Sequence, residues 1–211
     1  IVIADDHAIV REGLKRIIAS ADDITVVGEA GDGSAVMQQV RGAEFDVLVL
    51  DLTMPGRSGM ELIKLVHSEK PKLRILVLSM HEELQYAVRA IKSGASGYLT
   101  KDSAPLQLLQ VLRKIAAGRA FISSDVAEQL ALGSMLGGVS AAHEKLSDRE
   151  FEVFRLIAAG MSVTDIATRL NLSAKTISTH KANLMQKMGL NNQSELIRYA
   201  IKHGVTEPLE P

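Results

Sequence analysis

The 211-residue chain contains no cysteine, so neither disulfides nor thiol chemistry stabilise it or operate in it. It also lacks any apolar run of the roughly 20 residues that a bilayer-spanning helix requires. No basic n-region or cleavage site precedes its opening run, Ile1-Val2-Ile3-Ala4. A cytoplasmic protein with no membrane partner is therefore expected. Methionine is missing at the start too, so a few residues are expected to precede Ile1. Nor is there a charge bias, since 24 Lys and Arg against 25 Asp and Glu leave a net charge of −1. That balance conceals a local excess. Between positions 164 and 202, six bases stand against two acids.

What is present is an alternation. Apolar strand-like runs at 1–4, 25–30, 45–50, 75–78 and 97–100 are separated by segments with helical periodicity at 10–18, 34–40, 59–67, 83–92 and 106–117. Five repeats of strand and helix predict an α/β doubly wound, five-stranded parallel sheet of flavodoxin type, covered on both faces and joined by right-handed crossovers. After residue 119 the pattern loosens. A helical turn is expected near 127–132, broken by Gly133, Gly137, Gly138 and Ser140, so 120–143 reads as a linker. Residues 144–207 read as a small all-α, four-helix domain.

The chemistry of the first domain lies at its strand ends. Asp5 and Asp6 follow the first strand, Asp51 follows the third, Ser79 the fourth and Lys101 the fifth. Open α/β sheets place their sites at these carboxyl edges. A lone Asp there is more often a turn former or helix cap. Three carboxylates, a hydroxyl and an ammonium on one edge form a chemical set. The carboxylates repel one another unless a divalent cation neutralises them, and oxygen ligands with room for water and phosphate suit Mg²⁺. With the cation bound, Asp51 can act as a nucleophile toward phosphorus, while Ser79 and Lys101 hold phosphoryl oxygens. His7 beside the acidic pair is expected to serve the helix start rather than a metal. For His81, a place at the mouth of the site and a solvated loop position are equally open.

On these residues, with Met54-Pro55-Gly56 behind Asp51, the first 118 or so residues resemble the receiver domain of a two-component response regulator. The resemblance implies that Asp51 is the phosphoacceptor and that a cognate histidine kinase is its donor. It implies that Asp6 and Asp51 bind Mg²⁺ directly, Asp5 partly through water, and Thr53 through its backbone carbonyl. Tyr98 matches the family's switch aromatic, which turns inward when Ser79 moves toward the phosphate. Many receivers carry proline after the lysine, whereas Asp102 stands there in this chain.

In the second domain, Ser147 with Glu150 three residues on marks a capping box. Ser162 and Ser173 cap two further helices, and a fourth runs over 193–203. A short helix, a tight turn and a longer polar-faced helix make a helix-turn-helix. The outer face of the third helix offers cations, small polar groups and an apolar contact for a thymine methyl, as a major-groove helix needs. The stretches Leu146-Ser147-Asp148-Arg149-Glu150, Asp165-Ile166-Ala167, Leu172-Ser173-Ala174-Lys175-Thr176-Ile177-Ser178-Thr179-His180 and Lys187-Met188-Gly189-Leu190 resemble a LuxR-type DNA-binding domain. The two domains together resemble the NarL/FixJ class. By that resemblance Lys175, Ser178, Thr179 and Ala182 face bases or the groove. Thr164, Thr176 and Lys181 mainly hold phosphates of promoter DNA. The fourth helix, through Leu196, Ile197 and Ala200, pairs with its copy in a homodimer.

The rival class is an enzyme, a phosphatase with an aspartyl nucleophile. It requires a second Asp two residues after the nucleophile as general acid/base. Thr53 holds that position, and a DNA-binding tail has no place in such an enzyme. The expected activity is therefore phosphorylation-controlled transcription, with self-catalysed phosphorylation but no separate turnover reaction. Whether phosphate acts through dimerisation or through release of the DNA-binding domain is open at this level.

Overall fold

The computed structural model of the chain describes residues 1–54, 59–80, 84–135 and 141–205. Two compact units divide the chain, Ile1–Leu130 and Ala131–Pro211. His81, Pro55, Gly56, Gly137, Gly138 and Ser140, named above, lie outside the described residues.

The first unit carries β1 (Val2–Ala4), β2 (Gly28–Ala30), β3 (Val47–Asp51), β4 (Arg74–Ser79) and β5 (Gly97–Thr100). Between and after them run α1 (Ala8–Ile18), α2 (Gly33–Gly42), α3 (Gly59–Glu69), α4 (Leu84–Lys92) and α5 (Ala104–Ala116). The strands form one parallel sheet in the order β2-β1-β3-β4-β5. Both faces of the sheet are covered, which is why its strands are apolar throughout rather than alternating. One face packs Ile3, Val49, Leu76 and Leu78 with Leu14 and Ile18 of α1 and Leu108, Val111 and Ile115 of α5. Residues of the other parity, Val2, Leu48, Leu50, Ile75 and Val77, are buried as well. Strand order reverses between β1 and β3, and this opens a crevice at their carboxyl ends.

Two boundaries differ from the sequence reading. The second strand pairs only over Gly28–Ala30, not over 25–30. Its register sets Gly28 against Val2; just before it, Val27 N–H donates to the Ile1 carbonyl at 2.9 Å and the Ile1 amino group to the Thr25 carbonyl at 2.7 Å. The supposedly loose stretch after α5 contains a full helix, α6 (Ser124–Met135), and Gly133 lies within it rather than ending it. Ser123 starts this helix, its Oγ accepting from Val126 N–H and its carbonyl from Ala127 N–H. Val126 is buried and anchors the first turn.

A further contact ties this stretch to the sheet. Phe121 pairs with the outer edge of β5: its N–H donates to Ser96 O at 3.0 Å, and its carbonyl accepts from Tyr98 N–H at 3.1 Å. The approach is close enough to require glycine opposite. A Cβ on Gly97 would lie 2.7 Å from Ile115 Cδ1 and 3.0 Å from the Phe121 carbonyl. An otherwise open sheet edge is thereby covered by the chain itself.

The second unit contains a 3-10 turn (Ala142–Lys145), then α7 (Asp148–Ala158), α8 (Val163–Arg169), α9 (Ala174–Met188) and α10 (Gln193–Lys202). The predicted caps form. Ser147 and Glu150 make a reciprocal capping box, and Ser162 and Ser173 accept from the third residues of α8 and α9. Asn192 caps α10 in the same way. Phe151, Val153, Phe154, Ile157, Ile166, Ile177, Leu184, Leu196 and Ala200 fill the core.

Candidate functional site

The sheet register builds the polar pocket. Ala4 lies opposite Leu50, so Asp5 and Asp51 emerge side by side at the carboxyl ends of β1 and β3. Ser79 pairs with Thr100 on β5, and Lys101 N–H donates to the Ser79 carbonyl at 2.9 Å. Three of the five predicted side chains meet directly. Lys101 Nζ bridges Asp5 Oδ2 at 2.6 Å and Asp51 Oδ2 at 2.8 Å. Asp5, Asp51 and Ser79 are buried, and Asp6 remains at the rim. Burial alone would push the Lys101 ammonium below its ordinary value, but its hydrogen bonds to Asp5 and Asp51, with their charges, hold it above. The lysine thus partly neutralises the buried acids.

Sequence reasoning missed three contacts around this pocket. Thr53, considered for its carbonyl, also uses its hydroxyl and N–H. The hydroxyl reaches both Asp51 oxygens at 3.0 and 2.9 Å, and the N–H reaches Oδ1 at 3.1 Å. Arg11 of α1 donates to the Asp5 carbonyl at 2.6 Å while paired with Glu29 at 3.0 Å, which fixes the loop after β1. His7 occupies the N-cap position of α1, as expected, but its side chain makes no capping bond. Its Nδ1 stands instead 2.9 Å from Asp6 Oδ1 and 3.4 Å from Asp5 Oδ1. One ligand-type atom from each of Asp5, Asp6, His7 and Asp51 lies within 4.8 Å of the others, a cluster that could hold a metal ion. The donors fit a divalent cation, because three converging carboxylates need more positive charge than one ammonium supplies.

Tyr98, the expected switch residue, is buried at the edge of the same sheet. With Leu84, Ala87, Thr100, Gln107, Phe121 and Val126 it lines a cavity of about 290 Å³. The ring therefore has adjacent space, bounded on one side by the segment that follows α5.

On the second unit, Thr164 of α8 and Lys175, Ser178, Thr179 and Ala182 of α9 are exposed, while Thr176 and Lys181 are half-buried. Three of these are already engaged. Thr179 Oγ1 donates to the Lys175 carbonyl at 3.0 Å, and Lys181 Nζ donates to Gln193 Oε1 at 2.7 Å. Thr176 Oγ1 shares a hydrogen bond with the cap hydroxyl of Ser173. The dimer residues divide differently. Leu196 and Ala200 are fully buried in the unit's own core, so they hold α10 in place and offer no surface. Ile197 is half-buried, and Ile201 is 43% exposed.

Family models match both regions: the response regulator receiver domain over residues 1–113, and the LuxR family of bacterial regulatory proteins over 144–200. The chain belongs to the NarL/FixJ class of response regulators. It is similar along its whole length to the oxygen regulatory protein NreC of Staphylococcus epidermidis, at 37% identity over 98% of this chain and 99% of that one. Response regulator UvrY of Escherichia coli is 32% identical over 97% of this chain and 94% of its own. Among solved structures, RcsB of Salmonella enterica serovar Typhimurium, bound to the rprA promoter with the phosphomimetic BeF3⁻, aligns at 34% identity and TM-score 0.64. That alignment covers 94% of this chain and 96% of RcsB. This response regulator is a phosphorylation-dependent transcription regulator with a helix-turn-helix output domain. Among its described residues, no helix is long and apolar enough to cross a membrane.

Proposed function

We propose that a partner histidine kinase phosphorylates this response regulator on Asp51 and that the modified chain binds promoter DNA as a homodimer. The division of labour is a receiver over 1–119, a linker over 120–143 and a DNA-binding domain over 144–207. The observation that carries the reading is the buried Asp51 carboxylate, held by Lys101 at 2.8 Å and Thr53 at 2.9 Å beside Asp5. A carboxylate fixed this way has its attacking oxygen oriented before a donor arrives. An Asp51 oxygen bonds to phosphorus as the phosphorus–nitrogen bond of a phosphohistidine breaks. Lys101 then leaves the carboxylates for a phosphoryl oxygen, and Ser79 donates to another. Mg²⁺ held by Asp5, Asp6, Asp51 and the Thr53 carbonyl would neutralise the charge gathered there.

Movement of Ser79 draws Tyr98 inward, toward the space beside it. The same cavity is bounded by Phe121 and Val126, so the start of the linker feels that change. On the output side, Ser178, Thr179, Ala182 and Lys175 face the major groove, with Thr164, Thr176 and Lys181 on phosphates. The exposed part of α10 around Ile197 and Ile201 pairs with its copy, which makes paired, inverted half-sites the preferred target.

Selection of bound sequences from random DNA, with and without acetyl phosphate, tests the whole reading. Enrichment of an inverted repeat only in the phosphorylated sample supports it. Equal enrichment in both samples, or none, would sink it. Lys101→Ala should keep the fold yet weaken the dependence of DNA binding on phosphate.

A further inference from the structure

His7 gives this pocket a donor that carboxylates cannot supply. The ring sits at the mouth of the acidic cluster with 64% of its side chain exposed, so a cation arriving from solvent meets it first. Its backbone N–H donates to Asp5 Oδ1 at 2.8 Å, and this fixes the residue against the buried acid. Capping α1 is the ordinary use of a polar side chain at that position, and His7 makes no such bond. Instead Nδ1 lies 2.9 Å from Asp6 Oδ1 and 3.4 Å from Asp5 Oδ1. An ion with bonds of about 2.1 Å sets its neighbouring ligand atoms about 3.0–3.4 Å apart. The 3.4 Å contact to Asp5 has that spacing, and the 2.9 Å contact to Asp6 is a hydrogen-bond length just inside it, so a cation would need to part the two atoms only slightly. Asp51, the fourth member, brings its oxygen within the same 4.8 Å.

The chemistry of this donor set differs from that of three carboxylates. Imidazole suits Zn²⁺, Co²⁺ and Ni²⁺, whereas Mg²⁺ prefers oxygen and keeps several waters. We propose that His7 is a metal ligand that makes this pocket bind borderline divalent ions, Zn²⁺ above all, in competition with Mg²⁺. The inference rests on reading Asp5, Asp6 and Asp51 as a cation site. It has a functional consequence. Asp5, Asp6, Asp51 and His7, drawn together around one Zn²⁺, would supply the four ligands such an ion commonly takes. No position then remains for a phosphoryl oxygen. Zinc occupancy therefore blocks phosphorylation of Asp51, and His7 sets how little zinc suffices.

The test uses the tag-free full chain and its His7→Asn variant, with folding checked by circular dichroism. Co²⁺ binding is followed by visible absorption, Zn²⁺ by competition against Co²⁺, and Mg²⁺ by calorimetry. The variant should lose about tenfold or more in affinity for Co²⁺ and Zn²⁺. Its Mg²⁺ affinity should stay within about twofold, because Mg²⁺ has little use for imidazole. In wild type, Co²⁺ should shift the imidazole proton resonances of one histidine, and these shifted signals should vanish in the variant. Zn²⁺ should inhibit acetyl phosphate labelling of wild type at lower concentration than of the variant. Unchanged Co²⁺ affinity and unchanged shifted signals would overturn the assignment. Equal losses for Mg²⁺ and Zn²⁺ would also overturn it, since His7 would then shape the loop without choosing the ion. If wild type binds no Mg²⁺, the cation pocket itself fails along with the role of His7. Normal Mg²⁺ binding beside an indifferent His7 removes only the latter.

Discussion

In the first unit the residues that matter are hidden, and in the second they are displayed. Asp5 and Asp51 are each 1% exposed and gripped by hydrogen bonds from Lys101 and Thr53, while Lys175, Ser178 and Ala182 stand in solvent on one face of α9. The distance along the chain differs as much. The pocket joins Asp5, Asp51 and Lys101, which are 96 residues apart at the extremes, whereas the α9 face proposed to read DNA fits within two turns of one helix. The two arrangements suit their chemistry. Phosphoryl transfer needs a few groups in one geometry out of bulk water, because charge interactions strengthen as the surroundings become less polar. DNA recognition needs long and small polar groups that can reach a partner of similar size, and a helix surface provides them without distant contacts. Loss of the Asp51 carboxylate should therefore act all or none, and substitutions on α9 should act by degrees.

The largest effect expected is that of Asp51→Asn, which should abolish acetyl phosphate labelling seen by intact-mass spectrometry in the presence of Mg²⁺. A chelator should do the same to wild type. Retained labelling in the variant would move the acceptor to another carboxylate and weaken the contrast. Next comes α10, where burial separates two adjacent roles. Leu196→Ala deletes a fully buried side chain and should destabilise the second unit by about 2–5 kcal/mol in chemical denaturation. Ile201→Ala touches a residue 43% exposed and should cost less than about 1 kcal/mol, yet lower the stoichiometry on a paired DNA site. Equal destabilisation by the two would erase the distinction between core and contact on this helix.

On α9 the effects become smaller and graded. Ser178→Ala should shrink the gap between specific and random DNA by about 1–3 kcal/mol in titrations on both. Thr179→Ala should do less, since its hydroxyl proton is committed to the Lys175 carbonyl. Lys181→Ala should weaken both DNAs alike and lower the slope of log affinity against log salt by about one per contact. A changed base preference in that variant would instead mean that α9 is rotated in the groove.

The smallest effect concerns acid stability. Burial alone would push the Glu150 carboxyl up, but hydrogen bonds from Lys187 and from the Ser147 N–H and hydroxyl hold it below the usual carboxylate range. The ionised form is thus favoured in the folded unit. Its contribution is present above the unfolded carboxylate pKa and is lost as pH falls through the folded one. Lys187→Ala leaves the capping box but removes the 2.7 Å ion pair, so it should cost up to about 1 kcal/mol near neutral pH. The cost should fade as Glu150 protonates. Thermal melts across the acidic range measure it, and a cost independent of pH would assign the effect to packing of the lysine stem.

How legible each region was follows from the same contrast. The polar residues at the strand ends could be named because apolar strands ending in polar residues mark the sheet edge, and the caps of α7, α8 and α9 could be named because Ser at the N-cap acts within three residues. The misses at the pocket include local side-chain choices, Thr53 on Asp51 and His7 on Asp6, whereas those in the fold involve register and burial. The second strand reads as 25–30 in the sequence, whereas its ladder with β1 covers Gly28–Ala30, and Thr25 and Val27 bond to Ile1, which lies outside that ladder. The helix over Ser124–Met135 was underestimated because Gly133 looked like a stop, whereas the helix runs through it from a first turn held by Ser123 and buried Val126. On α10 the pattern of Leu196, Ile197, Ala200 and Ile201 marked an apolar stripe, but periodicity alone could not say which part of it faced the unit's own core.

The sequence by itself determined the order of strands and helices, the polar residues that end the strands, and the composition of the α9 face. Each of these is set by neighbours within a few positions. Tertiary structure alone decided that Lys101 bridges Asp5 and Asp51 and that Phe121 covers the edge of β5 beside Tyr98. Those outcomes depend on which distant backbones come within hydrogen-bonding reach. That is settled by sheet register and core packing, which no local window of sequence contains.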